Sequence, residues 1–139
     1  MKITNLKQIN LYLVITISFL SLTAWQFQGD ELEASKARGK DTYAEVCMNC
    51  HMANGNGVSG AFPPLAGSDY MTKSKENAIK AVKFGLSGEV VVNGEKYNNT
   101  MPGQGLSDKE VADVLNYVYN SWGNKGDFIS EEQVKEVKE

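Results

Sequence analysis

Apolar positions along this chain change their spacing several times, and each change predicts an element. The first stretch is nearly continuous: no charged residue lies between Lys7 and Asp30, and Ile9 to Phe27 reads INLYLVITISFLSLTAWQF. As a helix it would span roughly 28 Å, close to a hydrocarbon core. Residues 28–34 are polar and read as a linker. A helical pattern follows from about Ser35 to Val46, with Ala37, Tyr43 and Val46 apolar and Ser35 placed to cap it. From Asn49 to Asp69 the breakers Gly55, Gly57, Gly60, Pro63, Pro64 and Gly67 predict a long loop.

A second helix is expected over 74–85, with Ala78, Ile79, Val82 and Phe84 as its inner face and Gly85 as its stop. Val90-Val91-Val92-Asn93-Gly94 has the form of a hairpin limb with an Asn-Gly turn, and Met101 to Gly105 reads as loop. The clearest helix starts at Ser107, with Glu110 completing a capping box. Val111, Val114, Leu115, Val118 and Tyr119 recur at helical spacing, and Gly123 ends the run. A Ser-x-x-Gln start at Ser130, with Val134 and Val137 beyond, predicts a short, weakly held helix or a disordered tail.

The sum is an all-α fold of about three main helices and long loops with little or no sheet, preceded by an N-terminal hydrophobic helix. The expected division is an anchor or signal segment over 1–27, a linker over 28–34, one domain over 35–124 and a charged tail over 125–139. Loops that long are unusual in a small domain unless something fills the space between them. A domain of this size also has only a modest core, so a buried group would add to its stability.

Charge changes the picture at both ends. Lys2 and Lys7 are the only charged residues among the first 27, which leaves 12 basic and 17 acidic side chains beyond them, a balance of −5. Nucleic acid needs a basic stripe and is excluded as a partner. The acidic remainder suits partners with a positive or apolar face, and equally a plain solvated surface. Lys2 and Lys7 precede the apolar stretch and Asp30-Glu31-Leu32-Glu33 follow it, which puts the N-terminus in the cytoplasm and the rest outside the cytoplasmic membrane. An uncleaved anchor is the preferred reading, with Trp25 and Phe27 at the outer interface. A cleaved signal peptide, leaving a soluble periplasmic protein, is the alternative.

The two cysteines and the single histidine of the chain lie together in Cys47-Met48-Asn49-Cys50-His51. A disulfide between Cys47 and Cys50 would leave His51 without a purpose. A thioredoxin-like pair wants a preceding strand and a βαβ context, and zinc needs a fourth ligand that no further Cys or His supplies. Covalent attachment of a c-type haem uses all three residues. Two thiols three positions apart reach the two vinyl groups on one porphyrin edge, and the adjacent imidazole then lies under the iron. Attachment outside the cytoplasmic membrane agrees with export.

A second axial ligand cannot be a histidine, which leaves methionine, water or nothing. Met1 is the initiator, Met48 lies between the cysteines and Met52 is too near His51, so Met71 and Met101 remain. Met101 is preferred: it stands 50 residues beyond His51, precedes Pro102 and is flanked by polar and glycine residues that are not core composition. Either methionine has the alternative of being a core filler.

Residues 35–123 resemble the class I monohaem cytochrome c family. The resemblance rests on the helix into Cys47-Met48-Asn49-Cys50-His51, on Phe62-Pro63-Pro64-Leu65-Ala66-Gly67, on Thr100-Met101-Pro102, and on the helix from Leu106-Ser107-Asp108 to Leu115-Asn116-Tyr117. It implies an all-α fold around one haem c, covalent through Cys47 and Cys50, with the iron held by His51 and Met101. It also implies that the Pro63 carbonyl meets the other imidazole nitrogen, that Leu65 packs on the haem, and that Gly39 and Tyr43 cross Val114 and Tyr117. The implied function is one-electron transfer between redox proteins, not catalysis, with no small-molecule substrate. The stretch from Lys96 to Asn124 is most similar to small cytochromes of terminal oxidases or nitrite reductases, and the lysine-rich docking face of mitochondrial members is missing. A fixed haem subunit of a respiratory oxidoreductase, and an open-site sensor or weak peroxidase, stand as alternatives.

Overall fold

The computed structural model describes residues 30–139. The apolar stretch Ile9–Phe27, and with it the anchor or signal segment, lies outside the described residues. Among the described residues no helix is long and apolar enough to cross a membrane.

Helix α1 covers residues 30–51, with a π-helical turn at Tyr43–Cys47 and a last α-helical turn at Met48–His51. It differs from expectation at both ends. Residues 30–34, expected as linker, are helical, because Glu31, Leu32, Glu33 and Ala34 are strong helix formers. Ser35 is therefore no cap: it is buried, and its hydroxyl donates to Asp113 Oδ1 at 2.6 Å. The inner face is Ser35, Gly39 and Tyr43, spaced four apart, whereas Ala37 and Val46 face solvent. At its far end α1 carries the Cys/His motif in helix rather than entering the loop at Asn49, and stops where Met52 takes φ 63°.

Helix α2 (Asp69–Lys73) leads through Ser74 into α3 (Lys75–Phe84), where the Ser74 hydroxyl accepts from Asn77 N. Ala78, Ile79 and Ala81 are buried, but Phe84 is 40% exposed. Five positions beyond Ile79, it points about 140° round the helix. Two small antiparallel pairs follow. Strand β1 (Gly85–Leu86) pairs with β4 (Met101–Pro102), setting Leu86 opposite Met101. Strands β2 (Val90–Val92) and β3 (Glu95–Tyr97) form the expected hairpin, Val90 opposite Tyr97, around Asn93-Gly94 with both φ values positive.

Helix α4 (Asp108–Tyr119) has the full capping box between Ser107 and Glu110. It is the centre of the core, with Val111, Val114, Leu115 and Val118 nearly sealed from solvent. Its crossing with α1 is close: a Cβ on Gly39 would lie 1.9 Å from the Asp113 carbonyl oxygen and 2.9 Å from Val114 Cα. Beside that crossing the buried Asp113 carboxylate receives Ser35, the Arg38 guanidinium at 2.6 and 2.7 Å, and Lys109 at 3.2 Å. Burial alone would raise its pKa, but the hydrogen bonds from Arg38, Ser35 and Lys109 win and hold it below the usual carboxylate value.

The tail is held more firmly than its sequence predicts. Helix α5 (Glu131–Glu136) carries a second capping box, Ser130 with Gln133, and Ile129 and Val134 are 1% and 0% exposed. The fully buried Asn116 side chain grips the Ile129 backbone on both sides, donating to its carbonyl and accepting from its N–H, each at 2.8 Å. Lys83 Nζ donates to the Val134 carbonyl at 2.9 Å while pairing with Asp108 at 2.7 Å. A six-residue helix has too few internal hydrogen bonds to stand alone. Here burial of two branched side chains, roughly 1.5–3 kcal/mol each, supplies what propensity does not.

Candidate functional site

The end of α1 presents its three reactive side chains to one cleft. Cys47 and Cys50, three positions apart and so on one helix face, are both free, the first half-buried and the second exposed. His51 is buried, and its Nδ1 lies 2.9 Å from the Pro63 carbonyl oxygen. A carbonyl only accepts, so Nδ1 carries the proton and Nε2 keeps its lone pair free. Burial lowers the His51 pKa, opposed by the Pro63 bond, so the ring is neutral at pH 7. Burial, and then the neighbouring Cys50, push the Cys47 thiol up to about 11. Cys47 and His51 are thus neutral in an apolar setting.

The loop after His51 is shaped to bring Pro63 back. Gly57 N–H donates to the His51 carbonyl at 3.0 Å, and Gly57 has φ 62°. A Cβ there would lie 2.2 Å from Phe62 O and 2.6 Å from Pro63 O, so only glycine lets the chain pass under the carbonyl that meets the imidazole. Val58 and Phe62 close the loop with paired backbone bonds of 2.8 and 2.7 Å.

Between this loop, α3, α4 and the β1–β4 pair lies a cleft lined almost wholly by apolar side chains. Leu65, Val82, Leu86, Met101, Val114 and Leu115 are among them, with Cys47 and His51 on one wall. A neighbouring chamber shares Cys47, His51, Pro63, Leu86, Val90 and Met101, and reaches Cys50. Paired thiols at the edge, one imidazole with a free nitrogen, and an apolar hollow beside it fit a flat macrocycle held covalently at its rim.

All six residues expected at the site, Cys47, Cys50, His51, Pro63, Leu65 and Met101, border this hollow. Met71 borders the first chamber too. It differs from Met101 in belonging to the buried core, where its carbonyl accepts the Tyr119 hydroxyl at 2.7 Å. Gly39 lies against Val114, and Tyr43 against Tyr117 with ring centres 5.4 Å apart. Trp122 closes that aromatic group at 5.1 Å from Tyr43 and 5.6 Å from Tyr117. The Tyr43 hydroxyl donates to the Met52 carbonyl at 2.7 Å and steadies the sparsely populated backbone conformation that ends α1.

Val46, Met48, Met52 and Val58 are exposed apolar side chains. Several cross-chain contacts escaped sequence reasoning. Glu95 accepts from Ser59 and from Gly60, and Asn99 donates to the Ala61 carbonyl. Asp69 and Asn93 exchange a reciprocal pair of backbone–side-chain bonds. These partners stand 24 to 38 positions apart, so no local pattern could have revealed them.

Comparison with known proteins bears on the same residues. The cytochrome c family profile matches residues 36–122. A cytochrome c-552 of Thermus thermophilus is 41% identical over 98 residues, covering 67% of this chain and 66% of that protein. A second Thermus thermophilus cytochrome c-552 is 42% identical over 94 residues, covering 64% of this chain and 71% of the relative. The cytochrome c subunit of the quinone alcohol dehydrogenase of Gluconacetobacter polyoxogenes is 40% identical over 91 residues, 63% of this chain but only 19% of that subunit. The chain belongs to the cytochrome c family, carries one covalent haem c with its iron, and is an electron carrier.

Proposed function

We propose that the protein shuttles single electrons between redox proteins at the outer face of the cytoplasmic membrane, its iron closed on both sides by His51 Nε2 and Met101 Sδ. Cys47 and Cys50 are the thioether anchors in this reading. The observation that carries it is the 2.9 Å contact between His51 Nδ1 and the Pro63 carbonyl, which leaves Nε2 to a cleft that Met101 also lines. When bound, the haem supplies a reversible one-electron couple, whose potential Met/His ligation raises. Pro63 orients the imidazole and makes it a stronger donor. Leu65, Leu86, Val114 and Leu115 keep water out, so little rearrangement accompanies a change of charge. Met101 is preferred to Met71 because it is half-buried on a short strand bordering both chambers, whereas Met71 is packed into the core.

The exposed Val46, Met48, Met52 and Val58 form the docking rim in this scheme. A net acidic chain with an apolar rim favours a partner whose own contact face is apolar or basic. The Ile9–Phe27 segment acts as the anchor, which raises the effective concentration of the domain near a membrane-bound donor or acceptor.

The test uses the full chain matured with haem in a competent host, with spectra taken oxidised and reduced. A ferric–methionine band at the red edge in the native protein, lost in Met101→Ala together with a lower potential and new carbon monoxide binding, is the expected result. An unchanged potential in Met101→Ala removes that residue from the iron.

A second reading, a fixed haem subunit of a larger oxidoreductase, is favoured by the similarity to the dehydrogenase cytochrome c subunit. It predicts that the protein leaves mild detergent extraction in a defined complex with a dehydrogenase or oxidase; isolation as a free monomer counts against it.

A further inference from the structure

The two walls of the cleft come from segments far apart in the chain. One wall holds His51 through Pro63, at the end of the closed loop Val58–Phe62. The other holds Met101, reached from β3 through Asn98, Asn99 and Thr100. Glu95 stands on β3, and its carboxylate binds across to the first loop: Oε1 accepts from the Ser59 hydroxyl at 2.6 Å and from the Gly60 N–H at 3.0 Å. Its other oxygen accepts from the Tyr97 hydroxyl at 2.8 Å, and Tyr97 is itself buried and lines the cleft. Asn99 adds a parallel tie, Nδ2 to the Ala61 carbonyl at 2.9 Å.

We propose that Glu95 is a positioning residue, bracing the strand that delivers Met101 against the loop that orients His51. The inference rests on the reading of Met101 as an iron ligand. The placement of the ties is what gives the brace leverage. They join the loop within three residues of Phe62-Pro63 and the strand within six of Met101. Met101 is otherwise fixed through the two-residue pairing of β4 with β1 and, beyond it, by the Gln104 N–H donating to the Val82 carbonyl at 3.1 Å, ties that leave the approach from β3 to the Glu95 and Asn99 bonds. A carboxylate that accepts three hydrogen bonds is a stiffer link than apolar contact alone, because its donors set both distance and direction. Bonds from Ser59 and Tyr97 also hold the Glu95 carboxyl below its ordinary value, so the brace is charged at neutral pH.

The alternative is a surface contact of no consequence, the common fate of exposed charged pairs. Imidazole separates the two, because it can enter the ferric iron only from molecules whose methionine has left. The haem-loaded full chain is titrated with imidazole while the ferric–methionine band is followed, and amide exchange at Gly60 is measured in parallel. Glu95→Ala is expected to bind imidazole about tenfold more tightly and to lose protection at the Gly60 amide. Glu95→Gln is expected to restore both, since its amide oxygen accepts from Ser59 and Gly60 and its NH₂ donates to Tyr97 Oη.

Native affinity in Glu95→Ala, with the band present in the native protein, overturns the brace and leaves His/Met ligation standing. A native protein without the band overturns the ligand assignment and the brace with it. If Glu95→Ala yields no haem-loaded protein, Ser59→Ala decides: tighter imidazole binding supports the brace, and native affinity overturns it.

Discussion

Gly39 offers a test in which the sign of the effect, not only its size, discriminates. In a solvent-facing helix, glycine to alanine stabilises by roughly 1 kcal/mol through backbone entropy. Gly39 is buried on α1 where that helix crosses α4, and an added Cβ would lie 1.9 Å from the Asp113 carbonyl oxygen and 2.4 Å from its carbon. Both are backbone atoms of a helix interior, so no side chain can swing away. An ordinary carbon–oxygen contact needs about 3.4 Å, so the helices must part by about 1.5 Å or tilt. Parting them loosens the contacts of Tyr43 and Val114 and stretches the Ser35–Asp113 bond of 2.6 Å. Overpacking of this kind costs about 1–3 kcal/mol, and rigid backbone neighbours place it at the upper end. After the propensity gain, a net loss of about 2 kcal/mol remains, or about 10 °C in Tm for a domain of this size. Urea denaturation of the haem-loaded protein reads it directly, as a lower midpoint with an unchanged slope. A midpoint at or above that of the native protein would refute the crossing as described.

Two further outcomes follow from the packing and the charges. Asp113 has a folded pKa below its unfolded value, so it contributes stability above the ordinary carboxylate pKa that is lost as pH falls through the folded one. Asp113→Asn should therefore unfold at lower urea near pH 7, by about 2 kcal/mol, and lose less on acidification; parallel pH profiles for the two proteins would dismiss the assignment. Val134→Ala removes two fully buried methyl groups from α5 and should cost about 2 kcal/mol. An unchanged urea midpoint would show that the tail contributes nothing to the folded domain.

The chemistry of this protein was legible because it depends on adjacent residues. Cys47, Cys50 and His51 sit within five positions, and helical geometry alone brings the thiols to one face beside the imidazole. The capping boxes at Ser107 and Ser130, the Asn93-Gly94 turn and the stop at Gly85 are also local, and each appears where the sequence predicts it. On α1 hydrophobicity alone misplaces Ala37 and Val46, which face solvent, whereas the family resemblance puts Gly39 and Tyr43 at the crossing with α4, where they lie. The residues that face inward are Ser35, Gly39 and Tyr43, selected by close approach and a shared carboxylate rather than by apolar character. Phe84 fails in the opposite sense: it is apolar and still exposed, since its angle round α3 turns it from the core.

What the sequence by itself determined was therefore the Cys47-Met48-Asn49-Cys50-His51 motif, the order of the main helices and the local capping and turn signals. What only the tertiary structure decided was distance across the chain. Ile129 and Val134 are buried because Asn116 grips the backbone thirteen positions downstream, and Glu95 reaches Ser59 across 36 residues. Interactions of that range leave no periodic trace, because the residues that make them are free to be any polar pair whose atoms meet once the core has closed.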